Sequence, residues 1–586
     1  MAKVRVLLAD IWVLTKGYWT GEEWYLAWLL LLAVISLNLG LVYVNFQQNL
    51  AMGAVSNALQ SVDIRQFYFA FVSLMLLILL YLGVAVLRVF LDQTLQLRWR
   101  RWLTTQFLDR WLAHQTFYRS RFADGLDNPD QRISEDIRLF IERTMTLGIG
   151  LLNAVATLTS FAALLWGLSG ALTLSINGIA IIIPGYMFWA AVLYSGLGSV
   201  LAHLVGRPLI ALNYRQQMAE ADFRFGLMRL REEAEAIALY GGEAQERAGA
   251  VRRFGVLFEN FSRLIRRNAQ YVLFQLLFSQ LAYGFSLLLA APRYFSGAIQ
   301  LGALVQISNA FERVNEALSW FIGSYTTFAE WCATADRLNE LAAEMTPEPR
   351  RALAGTLIKT AEQETIDLKN VSVALPDGSL LIEPFTLTLE PHQSVLLQGS
   401  SGAGKTTLFR VLAGVWPFAA GHILWPKHAQ TLFLPQQPYT PIGLLRDAML
   451  YPAHGIPHCD DETRAALDAV GLSELAEHLG EAAHWEQVLS EGEQQRIALA
   501  RAVLAKPDWL FMDESTSALD ELQEAALYRK LKQLLPQTTI ISIGQRRPLE
   551  ALHDRIFALE RLPGAPGRLV ETKAAPHPQA RGVVGA

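Results

Sequence analysis

The residues with the clearest chemical meaning form a glycine-rich run between an apolar stretch and a helical one. The run Gly399-Ser-Ser-Gly-Ala-Gly-Lys-Thr-Thr407 follows the apolar residues Ser394–Gln398. It has the form GxxxxGK followed by Ser or Thr, in the strand–loop–helix context that this pattern requires. Backbone N–H groups of such a loop curl around phosphate oxygens, and side chains at Gly402 or Gly404 would obstruct them. The sequence therefore predicts a site for nucleotide phosphates.

Two side chains at the end of this run complete the predicted site. Lys405 offers a positive charge to the β- and γ-phosphates, and the Thr406 hydroxyl offers a ligand to Mg²⁺. ATP and Mg²⁺ are therefore the predicted cofactors. The predicted nucleotide-binding residues of the run are Gly399, Ser400, Ser401, Gly402, Ala403, Gly404, Lys405, Thr406 and Thr407.

An acidic pair indicates hydrolysis of the bound nucleotide. The apolar run Trp509–Met512 reads as a strand that ends in Asp513-Glu514. An aspartate at a strand tip beside the phosphate loop can hold Mg²⁺ through water, and the adjacent glutamate can orient or deprotonate the attacking water. We predict Asp513 as a metal residue and Glu514 as a catalytic residue.

A third motif, Leu489-Ser-Glu-Gly-Glu-Gln-Gln-Arg496, resembles the signature of ABC transporters. Glu491 and Glu493 stand where the commonest family form has Gly and Gln. Ser490 and the N–H of Gly492, at a helix start, suit the γ-phosphate of a nucleotide held by a partner subunit. The resemblance implies nucleotide contacts by Ser490, Gly492 and Glu493 and a homodimer.

Two further motifs extend the resemblance to a nucleotide-binding domain over about residues 360–562. Gln436 in Phe433-Leu-Pro-Gln-Gln-Pro438 matches the Q-loop, which in that family links the metal site to the membrane domain. The resemblance implies both a metal and a catalytic role for Gln436. Ser517-Ala-Leu-Asp520 matches the family's D-loop.

The sequence departs from the family pattern at two positions. Gln545 follows the predicted strand Thr539–Ile543, where the family has a switch histidine. Glutamine can donate a hydrogen bond to the γ-phosphate but cannot carry positive charge, so we predict catalysis through Gln545 that is slower than with histidine. Leu375 stands near the place of an aromatic residue that often stacks on adenine, which predicts a weaker, apolar contact with the base.

Composition indicates a membrane protein. Of the 586 residues, 52% are hydrophobic and 18% charged, against about 25% charged in typical soluble proteins. This excludes a disordered, fibrous or ordinary cytosolic chain, and a net charge of −4 predicts no nucleic-acid partner. Two cysteines exclude a disulfide framework.

Six apolar runs are each long enough to cross a bilayer core of about 30 Å. All lie before about residue 330, and the loop 95–144 carries nine arginines, which places the long loops and the chain after residue 330 in the cytoplasm. We predict an interfacial elbow at 1–23, a six-helix domain at 24–344, a linker at 345–361, a nucleotide-binding domain at 362–562 and a disordered tail at 563–586. The predicted spans are Trp24–Tyr43, Phe67–Val89, Met145–Leu168, Ile179–Val205, Tyr271–Pro292 and Leu301–Phe321.

The predicted fold class is thus a membrane α-helical six-span domain of the ABC exporter type (type IV) with a cytosolic α/β P-loop ABC nucleotide-binding domain. Two loop segments, Leu97–Thr104 and Asp127-Asn-Pro-Asp through Ile137, resemble those of SbmA/BacA-like transporters and of their relatives, the peroxisomal ABCD fatty-acyl transporters. The second segment reads as a turn and helix start that could dock into the nucleotide-binding domain.

Charged residues within the sixth span indicate either an intrahelical ion cluster or the polar wall of a substrate cavity. Glu312, Arg313 and Glu316 begin about 16 Å below its outer end at 1.5 Å per residue. Ionisable groups at that depth face a cavity or pair with each other. Asn38 and Arg88 are weaker candidates of the same kind.

These patterns predict an ATP-hydrolysing transporter that works as a homodimer in the lipid bilayer. The resemblance implies import of hydrophilic cargo, such as antimicrobial peptides or cobalamin-like compounds, across a bacterial inner membrane. Transport of acyl-CoA or lipid, multidrug export, and an ATP-gated channel or regulator with little turnover stay open as alternatives.

Overall fold

The computed structural model describes residues 2–122, 128–176, 179–345, 357–452, 460–562 and 564–572. The chain divides into two compact units. The membrane unit comprises Met1–Asp109 and Asp127–Ala343, and the ATPase unit comprises Arg110–Leu126 and Glu344–Ala586.

The membrane unit is built of long helices and one hairpin. Between α5 and α6, Arg132–Asp136 form a π-helical turn. The helices are α1 (Ala2–Thr20), α2 (Trp24–Gln60), α3 (Ile64–Leu112), α5 (Pro129–Gln131), α6 (Ile137–Ser169), α7 (Tyr186–Glu232), α8 (Ala234–Tyr240), α9 (Glu243–Phe295), α10 (Leu301–Gly323) and α11 (Tyr325–Glu344), and the hairpin strands are β1 (Ala171–Ile176) and β2 (Ile179–Pro184). The short α4 (Thr116–Arg119), which follows α3, belongs to the ATPase unit.

Five helices of the described residues are long and apolar enough to cross a membrane: α2, α3, α6 with its preceding turn, α7 and α9. The sixth predicted span is also helical, as α10, but every 18-residue stretch of it contains Glu312, Arg313 and Glu316. It nevertheless packs among the others, with Ile307, Ala310 and Phe311 buried in the core of the unit.

The start predicted for the fourth span is wrong. Residues Ile179–Pro184 form β2, which pairs antiparallel with β1, and α7 begins only at Tyr186. The β-branched sequence Ile-Ala-Ile-Ile-Ile favours a strand, and the Asn-Gly pair before it in the sequence is typical of a two-residue hairpin turn. An apolar run therefore continued across a change of secondary structure.

The ATPase unit contains two larger sheets and a two-stranded one. The six-stranded sheet has the order β14-β13-β6-β12-β11-β8 and is parallel except for β13–β14, while the four-stranded sheet has the order β3-β7-β4-β5. The strands are β3 (Leu357–Ala361), β4 (Ile366–Ala374), β5 (Leu380–Leu389), β6 (Ser394–Gly399), β7 (Ala419–Pro426), β8 (Thr431–Leu434), β9 (Gly443–Leu444), β10 (Ala482–Ala483), β11 (Trp509–Asp513), β12 (Thr539–Ile543), β13 (Arg555–Glu560) and β14 (Arg568–Thr572).

Helices pack beside these strands around an apolar core. They are α12 (Lys405–Leu412), α13 (Leu445–Leu450), α14 (Asp460–Ala469), α15 (Trp485–Val488), α16 (Glu491–Ala505) and α17 (Glu521–Leu534). Strands β6, β11 and β12 are buried almost throughout, as expected for parallel strands covered on both faces.

Two predicted boundaries need correction. The predicted linker contains β3, which pairs with β7, and the predicted disordered tail contains β14, which pairs with β13. Gly and Pro in the flanking sequence dominated the composition of the tail, although Arg568-Leu-Val-Glu-Thr can complete a sheet edge. Linker residues 346–356 and tail residues 573–586 lie outside the described residues.

Candidate nucleotide-binding and hydrolysis site

The predicted phosphate loop connects β6 to α12 and needs its glycines. Gly399, Gly402 and Gly404 have φ angles of 153°, 78° and 108°, a region that residues with a side chain rarely adopt. A Cβ atom at Gly399 would lie 2.6 Å from the carbonyl oxygen of Leu559. The loop therefore presents its backbone at the start of α12, the geometry that binds an anion.

Lys405 is buried inside this loop. Its Nζ donates hydrogen bonds to the carbonyl oxygens of Gly399, at 2.8 Å, and Ser400, at 3.0 Å. Burial lowers the pKa of Lys405, while Glu514 and Asp513 act in the opposite direction. The ammonium group is thus held at the mouth of the loop, where phosphate oxygens would replace the two carbonyl acceptors.

Thr406 and Asp513 provide oxygen atoms that fit Mg²⁺. The Thr406 hydroxyl donates to Asp513 Oδ1 at 3.4 Å, and burial raises the pKa of Asp513. Mg²⁺ prefers oxygen ligands and keeps waters and substrate phosphates in its shell. The described residues contain no group of three or more His, Cys, Asp or Glu side chains that could hold a metal without such help.

Glu514 lies between two amide side chains. Gln436 Nε2 donates to Glu514 Oε2 at 3.2 Å, and Gln545 Nε2 donates to Glu514 Oε1 at 3.1 Å. Glu514 has a φ of 48°, a left-handed conformation that is costly for a residue with a side chain and is concentrated at functional sites. The three residues follow the adjacent parallel strands β8, β11 and β12, whose carboxyl ends lie at one edge of the sheet.

The signature residues lie at the start of α16. Ser490 is the N-cap, and its N–H and hydroxyl both donate to Glu493 Oε2, at 2.9 and 2.7 Å. These hydrogen bonds lower the pKa of Glu493. Among the described residues, no hydrogen bond joins Ser490, Gly492 or Glu493 to the phosphate loop of the same chain.

Sequence reasoning missed three polar side chains around this site. Gln495 is fully buried and bridges α16 to the Ser517–Asp520 segment, because its Nε2 donates to Ser517 Oγ and its Oε1 accepts from the Ala518 N–H. Arg546 also contacts that segment, and Arg561 donates to the carbonyl oxygen of Gly402 at 3.0 Å. The only sequence signal for Arg546 was its place next to Gln545.

Two loop segments lie near the ends of α3 and α6, and the docking role of the second stays a prediction. Within the ATPase unit, Phe122 packs edge-on against Trp416 and Phe418, with ring centroids 5.2 and 5.7 Å away. The segment predicted to dock is part of the membrane unit, where Asp136 accepts two 2.7 Å hydrogen bonds from Arg337 of α11. Asp127 lies outside the described residues.

The three charged residues of α10 contain one ion pair. Arg313 Nη1 lies 3.1 Å from Glu316 Oε2, with the two side chains 47% and 56% exposed. Asn38 is buried, and neither its Nδ2 nor the Nε of Arg88 has a hydrogen-bond partner within the described residues. Arg313 and Glu316 therefore form an ion pair within the helix. The role predicted for all three charged residues in a substrate cavity stays a prediction.

Comparison with known proteins agrees with this architecture. Residues 14–295 match the model described as "ABC transporter transmembrane region 2", and residues 382–517 match "ABC transporter". The chain is 32% identical to the Inner membrane ABC transporter ATP-binding protein YddA of Escherichia coli (strain K12), over 94% of this chain and 98% of that protein. It is 28% identical to the Lysosomal cobalamin transporter ABCD4 of Homo sapiens, over 91% of each chain.

A solved structure shows the same fold. The structure of a bacterial Atm1-family ABC exporter with ATP bound superimposes with a TM-score of 0.73 and 18% identity, over 92% of this chain and 95% of that one. The fold and site thus define an ATP-driven, multi-pass membrane transporter. The chain belongs to the ABC transporter family, with a membrane domain fused to an ATP-binding domain, and is related to the ABCD proteins. ATP hydrolysis is coupled to transport.

Proposed function

We propose that this chain forms a homodimeric transporter in a bacterial inner membrane and imports hydrophilic cargo, such as antimicrobial peptides or cobalamin-like compounds. The main supporting observation is the polar face of α10. Gln306, Asn309, Arg313 and Glu316 recur at intervals of three or four residues, so they share one side of the helix. The similarity to a cobalamin transporter and to an inner-membrane protein supports the cargo and the location.

Part of this polar face is matched by polar groups of α2. Asn309 Nδ2 donates to Asn49 Oδ1 at 3.3 Å, and Gln306 Nε2 donates to the Leu50 carbonyl oxygen at 3.3 Å. The Arg313–Glu316 pair one to two turns further on is about half exposed. An exposed ion pair within a span is costly against lipid, so its position supports a water-filled passage that would hold polar cargo.

The nucleotide cycle follows from the roles proposed for the site. The phosphate loop, with Lys405, binds ATP, and Thr406, Asp513 and Gln436 would hold Mg²⁺, which would supply neutralisation of phosphate charge. Glu514 orients or deprotonates the attacking water, and Gln545 donates a hydrogen bond to the γ-phosphate. Lys405→Ala should abolish ATP binding, whereas Glu514→Gln should retain binding and stop turnover.

The homodimer is supported by the signature residues, which, in the part of the chain that the structure describes, bond one another but not the phosphate loop. Ser490 and Gly492 have no hydrogen bond to the phosphate loop of their own chain, so a second copy would supply the nucleotide that they contact.

The test is transport by the reconstituted full chain in oriented vesicles with ATP on one side only. Labelled cationic peptide and cobalamin should accumulate on the side of the ATPase unit and not on the other. Glu514→Gln serves as the matched control, since it should bind ATP without transport. Efflux of both compounds, or no movement of either, would contradict the proposal.

Two other functions each have a supporting observation. An apolar cavity of about 540 Å³ in the membrane unit, lined by Trp320, Phe321, Phe328 and Trp331 among others, favours acyl-CoA or lipid transport, or drug export. The neutral Gln545 favours an ATP-gated channel with little turnover. ATPase stimulation by acyl-CoA but not by peptide would support the first, and ATP-dependent conductance in Glu514→Gln would support the second.

A further inference from the structure

Arg546 contacts the segment that follows the candidate catalytic glutamate. Its Nη2 donates to the Ser517 carbonyl oxygen at 2.7 Å, and its Nη1 donates to the Leu519 carbonyl oxygen at 2.5 Å. Its backbone is extended, with φ −83° and ψ 136°, so its side chain points away from that of Gln545. The two neighbours thereby contact the two ends of one turn, Gln545 at Glu514 and Arg546 at Ser517 and Leu519.

A buried carboxylate holds the guanidinium in place. Glu524 of α17 is only 2% exposed, and its Oε2 lies 3.5 Å from Arg546 Nη1. Its other oxygen accepts a hydrogen bond from the Thr516 hydroxyl at 2.5 Å. Because a buried carboxylate without a partner is strongly unfavourable, the pair fixes Arg546 relative to α17.

The same turn is held from its other side by α16. Gln495 donates to Ser517 Oγ at 3.2 Å and accepts from the Ala518 N–H at 3.0 Å. The turn is closed locally as well, since the Ser517 N–H donates to the Glu514 carbonyl oxygen at 3.0 Å. Residues 517–519 therefore connect the helix that starts at Ser490 to the loop that carries Gln545.

We propose that Arg546 is a positioning residue for ATP hydrolysis, which holds the Gln545 amide on Glu514 by tying its loop to residues 517–519. The inference rests on the proposed roles of Glu514 and Gln545. The hydrogen bonds of Arg546 within the described part of the chain go to Ser517, Leu519 and Glu524 and not to Glu514, so it acts through the backbone that it shares with Gln545. A displacement of α16 would then be transmitted to Gln545 in two steps. Gln495 moves residues 517–519, and these residues move Arg546, the neighbour of Gln545.

The chemistry of the guanidinium predicts how substitutions behave. Arginine satisfies two carbonyl oxygens and a carboxylate at once because its donors form a rigid fork. In Arg546→Lys a single ammonium keeps the ion pair with Glu524 but cannot reach both carbonyls. The Lys variant should therefore stay folded and lose turnover about 10-fold, with the KM for ATP changed less than about twofold.

A double-mutant cycle separates positioning from general stability. ATP turnover of the reconstituted full chain is measured for wild type, Arg546→Lys, Gln545→Ala and the double variant, with Lys405→Ala as the blank. If Arg546 acts through Gln545, Arg546→Lys should cost less than about twofold in the Gln545→Ala background. The same loss in both backgrounds, or no loss in wild type, would overturn the proposal.

Two further variants address a loss of turnover caused by an unpaired charge and an inactive Gln545→Ala background. Arg546→Met/Glu524→Gln removes the buried unpaired charge, and full recovery of turnover in this variant would show that charge burial, not positioning, caused the loss. If Gln545→Ala has no turnover above the blank, Gln545→Asn takes its place, since its amide is one methylene too short for Glu514.

The control for a general arginine effect is Arg464→Lys, an exposed residue of α14 paired with Asp461, which should leave turnover unchanged. Retained turnover in Glu514→Gln would refute the proposed catalytic roles independently of the cycle.

Discussion

Mild acid should destabilise the ATPase unit through a single buried histidine. His553 is buried, with Nδ1 2.7 Å from the Leu549 carbonyl oxygen and Nε2 3.0 Å from Ser542 Oγ. Since a carbonyl oxygen only accepts, Nδ1 carries the proton and Nε2 accepts from Ser542. The Tyr528 hydroxyl donates to the same Ser542 oxygen at 3.0 Å, so Tyr528, Ser542, His553 and the Leu549 carbonyl form one series of hydrogen bonds. Protonation of Nε2 would place its N–H against the Ser542 hydroxyl hydrogen, so the charged form of His553 is disfavoured.

Burial lowers the pKa of His553 from its ordinary 6.5 to about 4, with Lys532 acting in the same direction and Leu549 and Asp554 against it. The unfolded chain thus binds a proton at a higher pH than the folded chain does, so stability falls as the pH drops from 6.5 towards 4. From about pH 7.5 to about pH 5.5 the histidine alone should remove about 1.3 kcal/mol of the free energy of unfolding. In a domain of this size that loss lowers the melting temperature by about 4 °C.

The assay is the melting temperature of the ATPase unit in the purified full chain, followed by tryptophan fluorescence at both pH values. His553→Gln cannot titrate, so it should be less stable than wild type near neutrality but should lose about 4 °C less on acidification. The exposed His428, which follows β7, gives the matched control His428→Gln, against which the change in pH dependence of His553→Gln is compared. Equal pH dependence in wild type and His553→Gln would refute the reasoning.

Three further outcomes are expected. Gln545→His should raise ATP turnover, because imidazolium can carry charge towards the γ-phosphate, and equal rates would contradict the cost assigned to glutamine. Glu312→Gln/Glu316→Gln should reduce cargo transport and spare basal ATP hydrolysis; unchanged uptake would remove α10 from the transport path. Phe122→Ala should lower cargo-stimulated turnover more than basal turnover, since it removes a ring packed on Trp416 and Phe418. The lost packing should reduce the free energy of unfolding by up to about 3 kcal/mol. Equal loss of both rates would argue for simple destabilisation.

The sequence was informative about the site because its motifs name residue types that are suited to bind a ligand. Each of Lys405, Asp513 and Glu514 was predicted from a residue type beside a strand. Parallel strands place their carboxyl ends along one edge, so the adjacency of β8, β11 and β12 converts separate motifs into one cluster. The sequence alone could not show that these three strands are neighbours, because their order in the sheet is set by pairing between distant parts of the chain.

The errors in the fold arose where hydrophobicity alone decided the prediction. Residues 179–184 and the start of α7 are both apolar, so hydrophobicity did not distinguish the strand, which pairs with β1, from the helix that follows it. Composition likewise concealed β14, because its five residues lie among Gly and Pro and gain their stability from β13. Phe122 was overlooked since a lone aromatic residue in a loop does not indicate what it packs against.

Arg546 and Gln495 show a more general limit. Both bind backbone carbonyl or N–H groups, which are present at almost every position. The sequence therefore contains no particular residue type that would identify their partners, as a carboxylate can identify the partner of an arginine. Their specificity lies in geometry, namely the position of one turn relative to α16 and α17. Residues that contact nucleotide can be predicted from motifs, whereas residues that position them through the backbone become visible only once the chain is folded. In this site the second group connects the helix capped by Ser490 to Gln545, whose side-chain amide donates to Glu514.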